Sequence, residues 1–374
     1  MTLSFEMSLV FYFSFFTIEV ILAYIIQKVT RVQSNTRLVK WSNFQFRFNT
    51  KAFIVFVIMI LCYVLIVGNR YGIGTDYFNY RNIFYGLVYN YSDNFEIIVT
   101  ILMKLCNYFE NGYQLFLSIC GLIISAFAFK SLKDHCDDIN YPLMMFIYFM
   151  TLFPPSLNII RQSMAVSIVM VGYKYVVKRN FFMYFIIILI ASLFHKTAIF
   201  CLPVYFVYFK KDKLKLKENI IIILCAVIPF FLDYLYAFVT SLDLFEKYKS
   251  YDLQDNTRYI VANVVPKIPI ILLILIFKNQ LEKNKPENKL YVILYIVEIL
   301  CFVIGGMVEW AFRFSYYFMI SEIILVPQIA DFFSKRSRIL FYIGVVIYYI
   351  VIFWLQFVYR ENDGIFPYSF ISYK

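Results

Sequence analysis

The sequence predicts an all-α, polytopic membrane protein with about twelve transmembrane helices, several of them broken. The first reason is composition. Of the 374 residues, 62% are hydrophobic and only 16% are charged, whereas a soluble domain is closer to half apolar and a quarter charged. The second reason is that the apolar residues form long runs, which are interrupted by prolines and by small polar clusters. We interpret residues 1–374 as a single integral membrane domain.

Each apolar run is assigned to a span because a helix needs about 20 apolar residues to cross a bilayer, or fewer where it ends inside protein. Two pairs of neighbouring spans are interrupted, one by Pro154-Pro155 and the other by His195-Lys196. Non-helical backbone survives at membrane depth only inside protein or beside a watery cavity, so these breaks predict an internal site. The predicted spans are 9–27, 52–67, 113–129, 141–153, 158–177, 181–194, 197–209, 219–239, 259–277, 290–308, 312–330 and 339–358.

The basic residues predict the orientation, because cytoplasmic loops carry an excess of Lys and Arg. Loop 28–51 contains six basic residues and no acidic one. Placing the basic loops inside puts both termini outside and explains the net charge of +11 as a topology signal. No nucleic-acid partner is therefore expected. The amphipathic residues 95–109 are placed as a helix at the outer interface. The other basic clusters lie at 130–133, 174–179, 210–217, 278–289 and 335–338.

The first candidate cluster follows the second span and contains Arg70, Asp76 and Arg81. Gly72 and Gly74 permit a tight loop there. The arginine forks suit phosphate, and Asp76 is suited to accept a proton from a hydroxyl. The alternative is a loop at headgroup level whose charges pair with one another. Two further aromatic candidates in this loop, which suit sugar stacking with a polar handle, are Tyr77 and Tyr80.

The second cluster is Arg161 with Gln162, just after the Pro154-Pro155 break. A helix N-terminus has free N–H groups and attracts anions, so Arg161 is placed as an anion-binding residue. The alternative is an interfacial arginine that extends to lipid phosphate.

Two more polar pairs stand at the ends of apolar runs. His195-Lys196 separates two such runs, and His195 is suited to donate to a phosphate or sugar oxygen or to carry a proton. The alternative is a histidine that only packs helices through a hydrogen bond. Glu309 and Arg313 are four residues apart and either pair on one helical face or contact an anionic ligand. No acidic cluster in the outer loops has clear Mg²⁺ spacing, so we expect neither a metal nor a cofactor.

Taken together, these motifs resemble the EpsG family of membrane proteins from exopolysaccharide, capsule and O-antigen clusters, which looks like the Wzy-type polysaccharide polymerases. The motifs follow the family's order from residue 70 to residue 368. Lys196 departs from the pattern, since a small residue is more usual there. The matching features are Arg70 with Gly74-Thr75-Asp76-Tyr77 and Tyr80; Arg161-Gln162 with Ala165 and Gly172; Ile190-Ala191 with Phe194-His195-Lys196-Thr197-Ala198 and Pro203; Arg313 with Tyr316-Tyr317-Phe318; and Pro367-Tyr368.

The resemblance implies a GT-C-like fold and a glycosyltransferase that polymerises repeat units on the outer face of the bacterial plasma membrane. The donor and the acceptor would be undecaprenyl-diphosphate-linked glycans, with membrane lipid, a flippase and a chain-length regulator as further partners. A diphosphate leaving group needs positive charge where negative charge develops. Arg70, Arg161, Lys196 and Arg313 would supply it, and Asp76 is the first choice of general base, ahead of His195.

Two other functions remain open on the sequence. A lipid-linked oligosaccharide flippase also needs cations in a cavity, but transporter helices are usually richer in Gly and Pro than a chain with 11 Gly and 10 Pro. A membrane O-acyltransferase would use His195, but it needs a thioester donor from the cytoplasm, and the predicted topology places His195 outside.

Overall fold

The described chain is helical. The computed structural model describes residues 2–35, 49–86, 95–208, 262–305 and 309–371. The extended pairing in these ranges consists of two isolated antiparallel bridges, Thr2–Ser369 and Arg70–Phe370. The prediction of an all-α protein is confirmed. The α-helices are α1 Phe5–Asn35, α2 Thr50–Gly68, α3 Tyr77–Phe84, α4 Ile97–Cys106, α5 Gly112–Lys133, α6 Tyr141–Thr151, α7 Phe153–Asn158, α8 Ile160–Val177, α9 Phe181–Ser192, α10 Val204–Val207, α11 Ile268–Asn284, α12 Asn288–Gly305, α13 Ile320–Ile329 and α14 Lys335–Phe353.

Within the described ranges, five helices are long and apolar enough to cross a membrane. The chain is therefore a multi-pass membrane protein, as predicted, while the total of about twelve spans stays a prediction. The predicted span 219–239 and the basic loop 210–217 lie outside the described residues. The five long helical segments are Phe5–Arg31, Thr50–Gly68, Gly112–Lys133, Asn288–Gly305 and Lys335–Tyr359, and the shorter apolar ones are Ile97–Cys106, Tyr141–Thr151, Phe181–Ser192 and Lys196–Val207.

Local sequence signals place several helix ends. Asn49 begins α2 by accepting a hydrogen bond from the Ala52 N–H at 3.1 Å, and Asn140 does the same for Leu143 at 3.2 Å ahead of α6. A side-chain oxygen in this position satisfies a backbone N–H that has no partner within the helix. Within the predicted span 259–277, helix α11 begins at Ile268. Pro269 lies in its first turn, where a proline is tolerated.

Both predicted breaks are present. Helix α6 ends at Thr151, and the short α7 carries the two prolines as far as Asn158. Ile159, with φ −85° and ψ 59°, then interrupts the helix before α8. The second break follows α9, where the chain turns at His195 into a 3₁₀ segment, Lys196–Cys201. The sequence predicted these interruptions because proline and a charged pair do not continue an apolar helix.

The described helices form two compact units. The first comprises residues 1–173, 185–200 and 333–374, and the second comprises residues 174–184 and 201–332. The single-domain interpretation of residues 1–374 stays a prediction.

The core of the first unit is aromatic. Phe16 of α1 stacks on Phe149 of α6 with ring centroids 5.3 Å apart. It also meets Phe153 and Phe353 edge-on, at 5.4 Å and 5.8 Å. Edge-to-face contacts of this kind add to the free energy gained from burying the rings. This packing accounts for part of the 21% aromatic content.

The termini and the loop after α2 meet in the first unit. The Tyr71 N–H donates to Ser369 O at 2.8 Å, and the Ile371 N–H donates to Asn69 O at 2.8 Å. The N-terminal segment also contacts the C-terminal one, because the Leu3 N–H donates to Tyr368 O at 3.0 Å. Residues 2–3, 69–71 and 368–371 therefore lie together in this unit, while the side of the membrane on which they lie stays a prediction.

The second unit holds its helices with buried polar pairs. Asn288 and Gln328 exchange two side-chain hydrogen bonds, at 2.9 Å and 3.0 Å. Lys267 Nζ lies 2.6 Å from Glu298 Oε1 and 3.4 Å from Glu322 Oε2. Each polar group has a partner, so burying it is far less costly than burying it alone. The sequence did not predict these pairs, because their members come from different helices.

Candidate active site

A buried carboxylate, Glu96, joins two distant parts of the first unit. Arg161 Nη1 donates to Glu96 Oε2 at 2.7 Å, and His195 Nδ1 lies 3.1 Å from Glu96 Oε1. The backbone N–H of Lys196 also donates to Oε1, at 3.3 Å. Only 5% of the Glu96 side chain is exposed. These contacts bring residues that are 65 and 99 positions apart in sequence to one carboxylate.

Each of these side chains stands where a helix begins or ends. Glu96 has an extended backbone just before α4, where the positive end of the helix favours a carboxylate. Arg161 is the second residue of α8, directly after the interruption at Ile159. His195 lies in the turn between α9 and the 3₁₀ segment. The broken spans predicted an internal site, and their two breaks do converge at Glu96.

The charges of the cluster determine its protonation. Burial by itself raises the pKa of the Glu96 carboxyl, but the hydrogen bond from His195 and the charge of Arg161 outweigh it and lower the pKa to about 2. Glu96 is therefore ionised at neutral pH, and an ionised carboxylate only accepts hydrogen bonds. It follows that His195 Nδ1 carries the proton that faces Glu96. In the neutral imidazole, Nε2 is then the nitrogen that accepts a proton.

Arg161 is fixed by aromatic side chains as well as by Glu96. Its Nε donates to the Tyr80 hydroxyl at 3.1 Å, and the centre of the Phe95 ring lies 4.1 Å from its guanidinium carbon. Contact with a ring face stabilises the cation. The hydrogen bonds of Arg161 to described residues use Nε and Nη1, and 19% of its side chain is exposed. Its Nη2 has no hydrogen-bond partner among the described residues.

Asp76 lies near the same cluster, at the start of α3. Burial raises the pKa of the Tyr80 phenol, Arg161 lowers it, and the charges of Asp76 and Glu96 raise it further. Tyr80 is thus a neutral hydroxyl within the fields of both carboxylates. The Asp76 N–H donates to Asn158 Oδ1 at 2.9 Å. Among the described residues, no hydrogen bond or ion pair holds the Asp76 carboxylate itself.

A comparison with known protein families matches a range of the chain that includes every residue of this cluster. A family model described as the EpsG family matches residues 53–370, a range that contains Asp76, Glu96, Arg161 and His195. The protein belongs to the EpsG family. This family is Wzy-type polymerase-like, so the chain is a membrane protein of a polysaccharide-polymerase family, and lipid-linked glycans are the substrates that such a family implies. No curated protein and no solved structure matches the chain.

In this EpsG-family protein, a glycine-containing loop positions Asp76. Gly74 has φ +99°, and a Cβ built on it would lie 2.5 Å from the Leu157 carbonyl oxygen, so no other residue fits without a backbone shift. The Asn158 amide binds the loop on one side and the C-terminal turn on the other. Its Oδ1 accepts from Thr75 Oγ1 at 2.9 Å, and its Nδ2 donates to Asp363 Oδ1 at 2.8 Å. The tight loop predicted from Gly72 and Gly74 is confirmed.

Arg70 lies apart from the Glu96 contacts. Its side chain is fully buried, with 0% exposed, and none of its three guanidinium nitrogens has a hydrogen-bond partner among the described residues. Its backbone pairs with the C-terminal segment at Phe370. The prediction that Arg70 binds diphosphate stays a prediction.

The remaining residues predicted in the first unit have different surroundings. Lys196 is exposed, whereas Gln162 is buried. Arg81 lies over the Tyr85 ring, 5.5 Å from its centre. Tyr77 is buried, with its hydroxyl 3.3 Å from Gln114 Nε2, so its ring packs inside the protein. Sugar stacking by Tyr77 and Tyr80 stays a prediction.

Glu309 and Arg313 belong to the second unit. They lie in one 3₁₀ segment, Glu309–Tyr317, and Arg313 is exposed. Their positions do not test whether they form an ion pair or contact a ligand. Both stay predictions.

Glu96 is the site residue that the sequence did not single out. The sequence predicts only that it belongs to an amphipathic helix at the outer interface. The apolar side chains of Ile97, Ile101 and Leu105 in this helix are exposed. A signal was available, because Glu96 stands immediately before an apolar run, as Arg161 does, and His195 stands at the end of one. To predict that the three residues contact one another, their distances in space must be known, and the sequence does not give those distances.

No metal site accompanies the cluster within the described ranges, where no three His, Cys, Asp or Glu side chains are grouped closely enough to hold an ion. The groups that contact the Glu96 carboxylate are instead the Arg161 guanidinium, the His195 imidazole and the Lys196 main-chain N–H. Metal independence stays a prediction.

Proposed function

We propose that this EpsG-family protein is a glycosyltransferase that polymerises undecaprenyl-diphosphate-linked repeat units, and that the Glu96 cluster is its active site. One observation supports the proposal most strongly. A buried, ionised carboxylate holds an imidazole and a guanidinium side by side at the breaks of two helices. A base and an anion-binding fork in one place are what glycosyl transfer from a diphosphate requires.

In this proposal His195 is the general base. Glu96 orients the ring through Nδ1, as a carboxylate does for the histidine of a catalytic triad. Nε2 then accepts the proton of the acceptor sugar hydroxyl. Asp76 is the other candidate, but no described side chain positions its carboxylate. His195 therefore replaces Asp76 as the preferred base.

The transfer step needs no reactant other than the acceptor and the lipid-linked donor. The acceptor oxygen attacks the anomeric carbon of the growing chain as its proton passes to His195 Nε2. The bond between that carbon and the diphosphate oxygen breaks, and its electron pair leaves with the diphosphate. Arg161, through Nη2, and the exposed Lys196 stabilise the charge that develops there. The imidazolium returns its proton to the solvent or to the released diphosphate.

The proposal extends to the fold and its setting. We place the site on the outer face of the bacterial plasma membrane, in a GT-C-like protein of about twelve spans. A flippase would deliver repeat units to this face, and a chain-length regulator would act on the product. The distribution of basic residues over the loops supports this orientation. A polyprenyl chain would reach the site sideways, between the broken helices.

The test is elongation in vitro. Purified protein in nanodiscs is given one lipid-linked repeat unit in excess EDTA, and the products are separated by length. We expect a ladder of longer glycans for wild type and none for His195→Ala, because the base is missing. His135→Ala is the matched control, since the chain has 2 histidines and His135 lies in a loop predicted to be cytoplasmic.

If His195→Ala elongates at the wild-type rate, the active site does not lie in the Glu96 cluster. Transport of the lipid across vesicles without elongation would make the protein a flippase. Transfer of an acyl group from a thioester would make it an acyltransferase.

A further inference from the structure

A carboxyl group in the membrane interior has no partner. Glu19 lies near the middle of the 27-residue span Phe5–Arg31, and the residue is fully buried, with 0% exposed. Neither of its side-chain oxygens has a hydrogen-bond partner among the described residues. An ionised carboxylate in such surroundings is very costly, and the group takes up a proton instead. Ionisable side chains inside a membrane span usually have a function.

The groups around Glu19 carry no positive charge. Helix α1 packs against α2 and α6. The charge of Glu19 acts on Cys62 and Tyr63 of α2 and on Tyr141 and Tyr148 of α6. One thiol and three phenols do not supply the opposite charge that a buried ionised carboxylate needs. A protonated carboxyl needs no such charge, and it can donate a hydrogen bond.

A chain of hydroxyls begins beside this carboxyl, and its hydrogen bonds all run in one direction. Ser156 Oγ donates its proton to Phe153 O at 2.5 Å. Because a hydroxyl has a single O–H to donate, Ser156 Oγ accepts from the Tyr63 hydroxyl, which lies 2.7 Å away. The Tyr63 oxygen in turn accepts from the Tyr148 hydroxyl. The Tyr148 oxygen therefore remains an acceptor, and a protonated Glu19 is the donor that suits it.

The far end of this chain is the proline break. Ser156 belongs to α7. Asn158, two residues further on, holds the loop that carries Asp76 by accepting a hydrogen bond from the Asp76 N–H at 2.9 Å. The hydroxyl-bearing residues are all buried, with 0% of Tyr63, 2% of Tyr148 and 1% of Ser156 exposed. Linked polar side chains that lead from an interior carboxyl to a helix break are suited to carry protons within a membrane.

We infer that Glu19 is a proton-binding site in the membrane interior, and that its proton exchanges with the break at α7 through Tyr148, Tyr63 and Ser156. Each hydroxyl along this path gains one proton and passes on another, so no group is oxidised or reduced. Only Glu19 changes its charge, and only while its proton is away. The inference depends neither on elongation nor on the Glu96 cluster.

The first experiment uses dicyclohexylcarbodiimide, an apolar reagent that reacts with protonated carboxyls. The carboxyl oxygen bonds to the central carbon of the reagent, and the carboxyl proton goes to one of its nitrogens. Full-length protein in nanodiscs is treated at neutral pH, and the labelled residue is identified by mass spectrometry of its peptides. We expect the label on Glu19. Two residues should stay unlabelled, namely Glu96, which is buried but ionised, and Glu6, which is exposed on the same helix.

Infrared spectroscopy detects the same proton without a reagent. A protonated carboxyl has a C=O stretching band that is separate from those of carboxylates and amides. The difference spectrum of wild type minus Glu19→Gln should contain one such band, and that of wild type minus Glu96→Gln should contain none. If Glu19→Gln does not fold, the carbodiimide label on the wild-type chain decides whether Glu19 is protonated.

The path is tested by transfer into deuterium oxide, which shifts the Glu19 band as deuterium replaces the carboxyl proton. Tyr148→Phe and Tyr63→Phe each remove one link, so each should slow the shift about tenfold. Tyr141→Phe is the matched control, because it removes a buried phenol near Glu19 whose hydroxyl has no described hydrogen-bond partner. This variant should exchange at the wild-type rate. Equal rates in wild type and all three variants would overturn the path.

Two other results would overturn the proton site itself. If sodium ions suppress the carbodiimide label at constant pH, Glu19 binds a metal cation in place of a proton. If wild type shows neither the label nor the band in the difference spectrum, Glu19 is ionised. Its charge would then balance that of Arg70, which also acts on Tyr63.

Discussion

The Glu96 carboxylate and the Arg161 guanidinium form a buried ion pair with 2.7 Å between Oε2 and Nη1. The pair joins the start of the short helix α4 to the start of α8, which follows the proline break. Because the same carboxylate also binds His195, a change at Glu96 affects the cation and the base together.

Glu96→Gln should reduce elongation by about 10²–10⁴-fold, the usual contribution of a positioned base. The amide keeps the size of the side chain, but it no longer fixes the His195 tautomer or neutralises Arg161. The free energy of unfolding should fall by about 1–3 kcal/mol. Initial rates and thermal melts measure the two effects. Glu110→Gln is the control, since Glu110 is exposed. An active Glu96→Gln would show that His195 needs no orienting carboxylate.

Arg161→Lys should be inactive although its charge is kept. A guanidinium reaches the Tyr80 hydroxyl through Nε and Glu96 through Nη1 at once, and a single ammonium cannot copy that fork. Arg161→Ala should also be inactive, while both variants remain inserted and abundant on membrane immunoblots. The exposed Arg336 provides the control as Arg336→Lys. Normal glycan ladders from Arg161→Lys would mean that only charge matters at this position.

Asp76→Asn should elongate within about tenfold of the wild-type rate, while His195→Ala should lose about 10²–10⁴-fold. The expected difference arises because Glu96 orients His195, whereas no described side chain holds the Asp76 carboxylate. Single-turnover rates at saturating lipid substrate separate binding from chemistry. The opposite order, with Asp76→Asn inactive and His195→Ala active, would make Asp76 the base.

The Glu96 carboxyl should make stability depend on pH in the acidic range. The pKa of Glu96 is about 2 in the folded protein, below its ordinary value of 4.5. Its contribution is therefore complete above about pH 5 and is lost as the pH falls through 4.5 toward 2, amounting to about 3 kcal/mol. Thermal melts of wild type and Glu96→Gln between pH 2.5 and 7 measure it. The gap between the two curves should narrow on acidification, and a constant gap would contradict the assignment.

The orientation can be checked with single cysteines in a cysteine-free background. Asn107→Cys, beside the helix predicted at the outer interface, should react with a membrane-impermeant maleimide in intact cells. Asp137→Cys, in a loop predicted to be cytoplasmic, should react only after permeabilisation. Both positions are exposed, so burial does not explain a difference. The reverse labelling pattern would place the Glu96 cluster on the cytoplasmic side.

The sequence by itself determined the class of the protein and the positions of its breaks. Apolar runs predict helices because buried backbone must satisfy its own hydrogen bonds in a membrane. Pro154-Pro155 and His195-Lys196 end such runs for reasons contained in the residues themselves. The ordered motifs also indicated the family. Two residues of these motifs, Arg161 and His195, stand at helix ends that can be recognised in the sequence. These properties are local, and a linear sequence records them.

Only the tertiary structure decided which polar groups share a site. Nothing in the sequence marks Glu96 as a site residue. It lies at the centre of the cluster because the start of α4, the start of α8 and the turn after α9 lie next to one another. The structure also placed Tyr77 inside the protein and paired the backbone of Arg70 with that of Phe370, three hundred residues away in sequence. Such contacts depend on how helices pack, and packing follows from the combined shape of many side chains. Burying a charge is least costly where that packing also supplies a partner, as it does for Glu96 and Arg161.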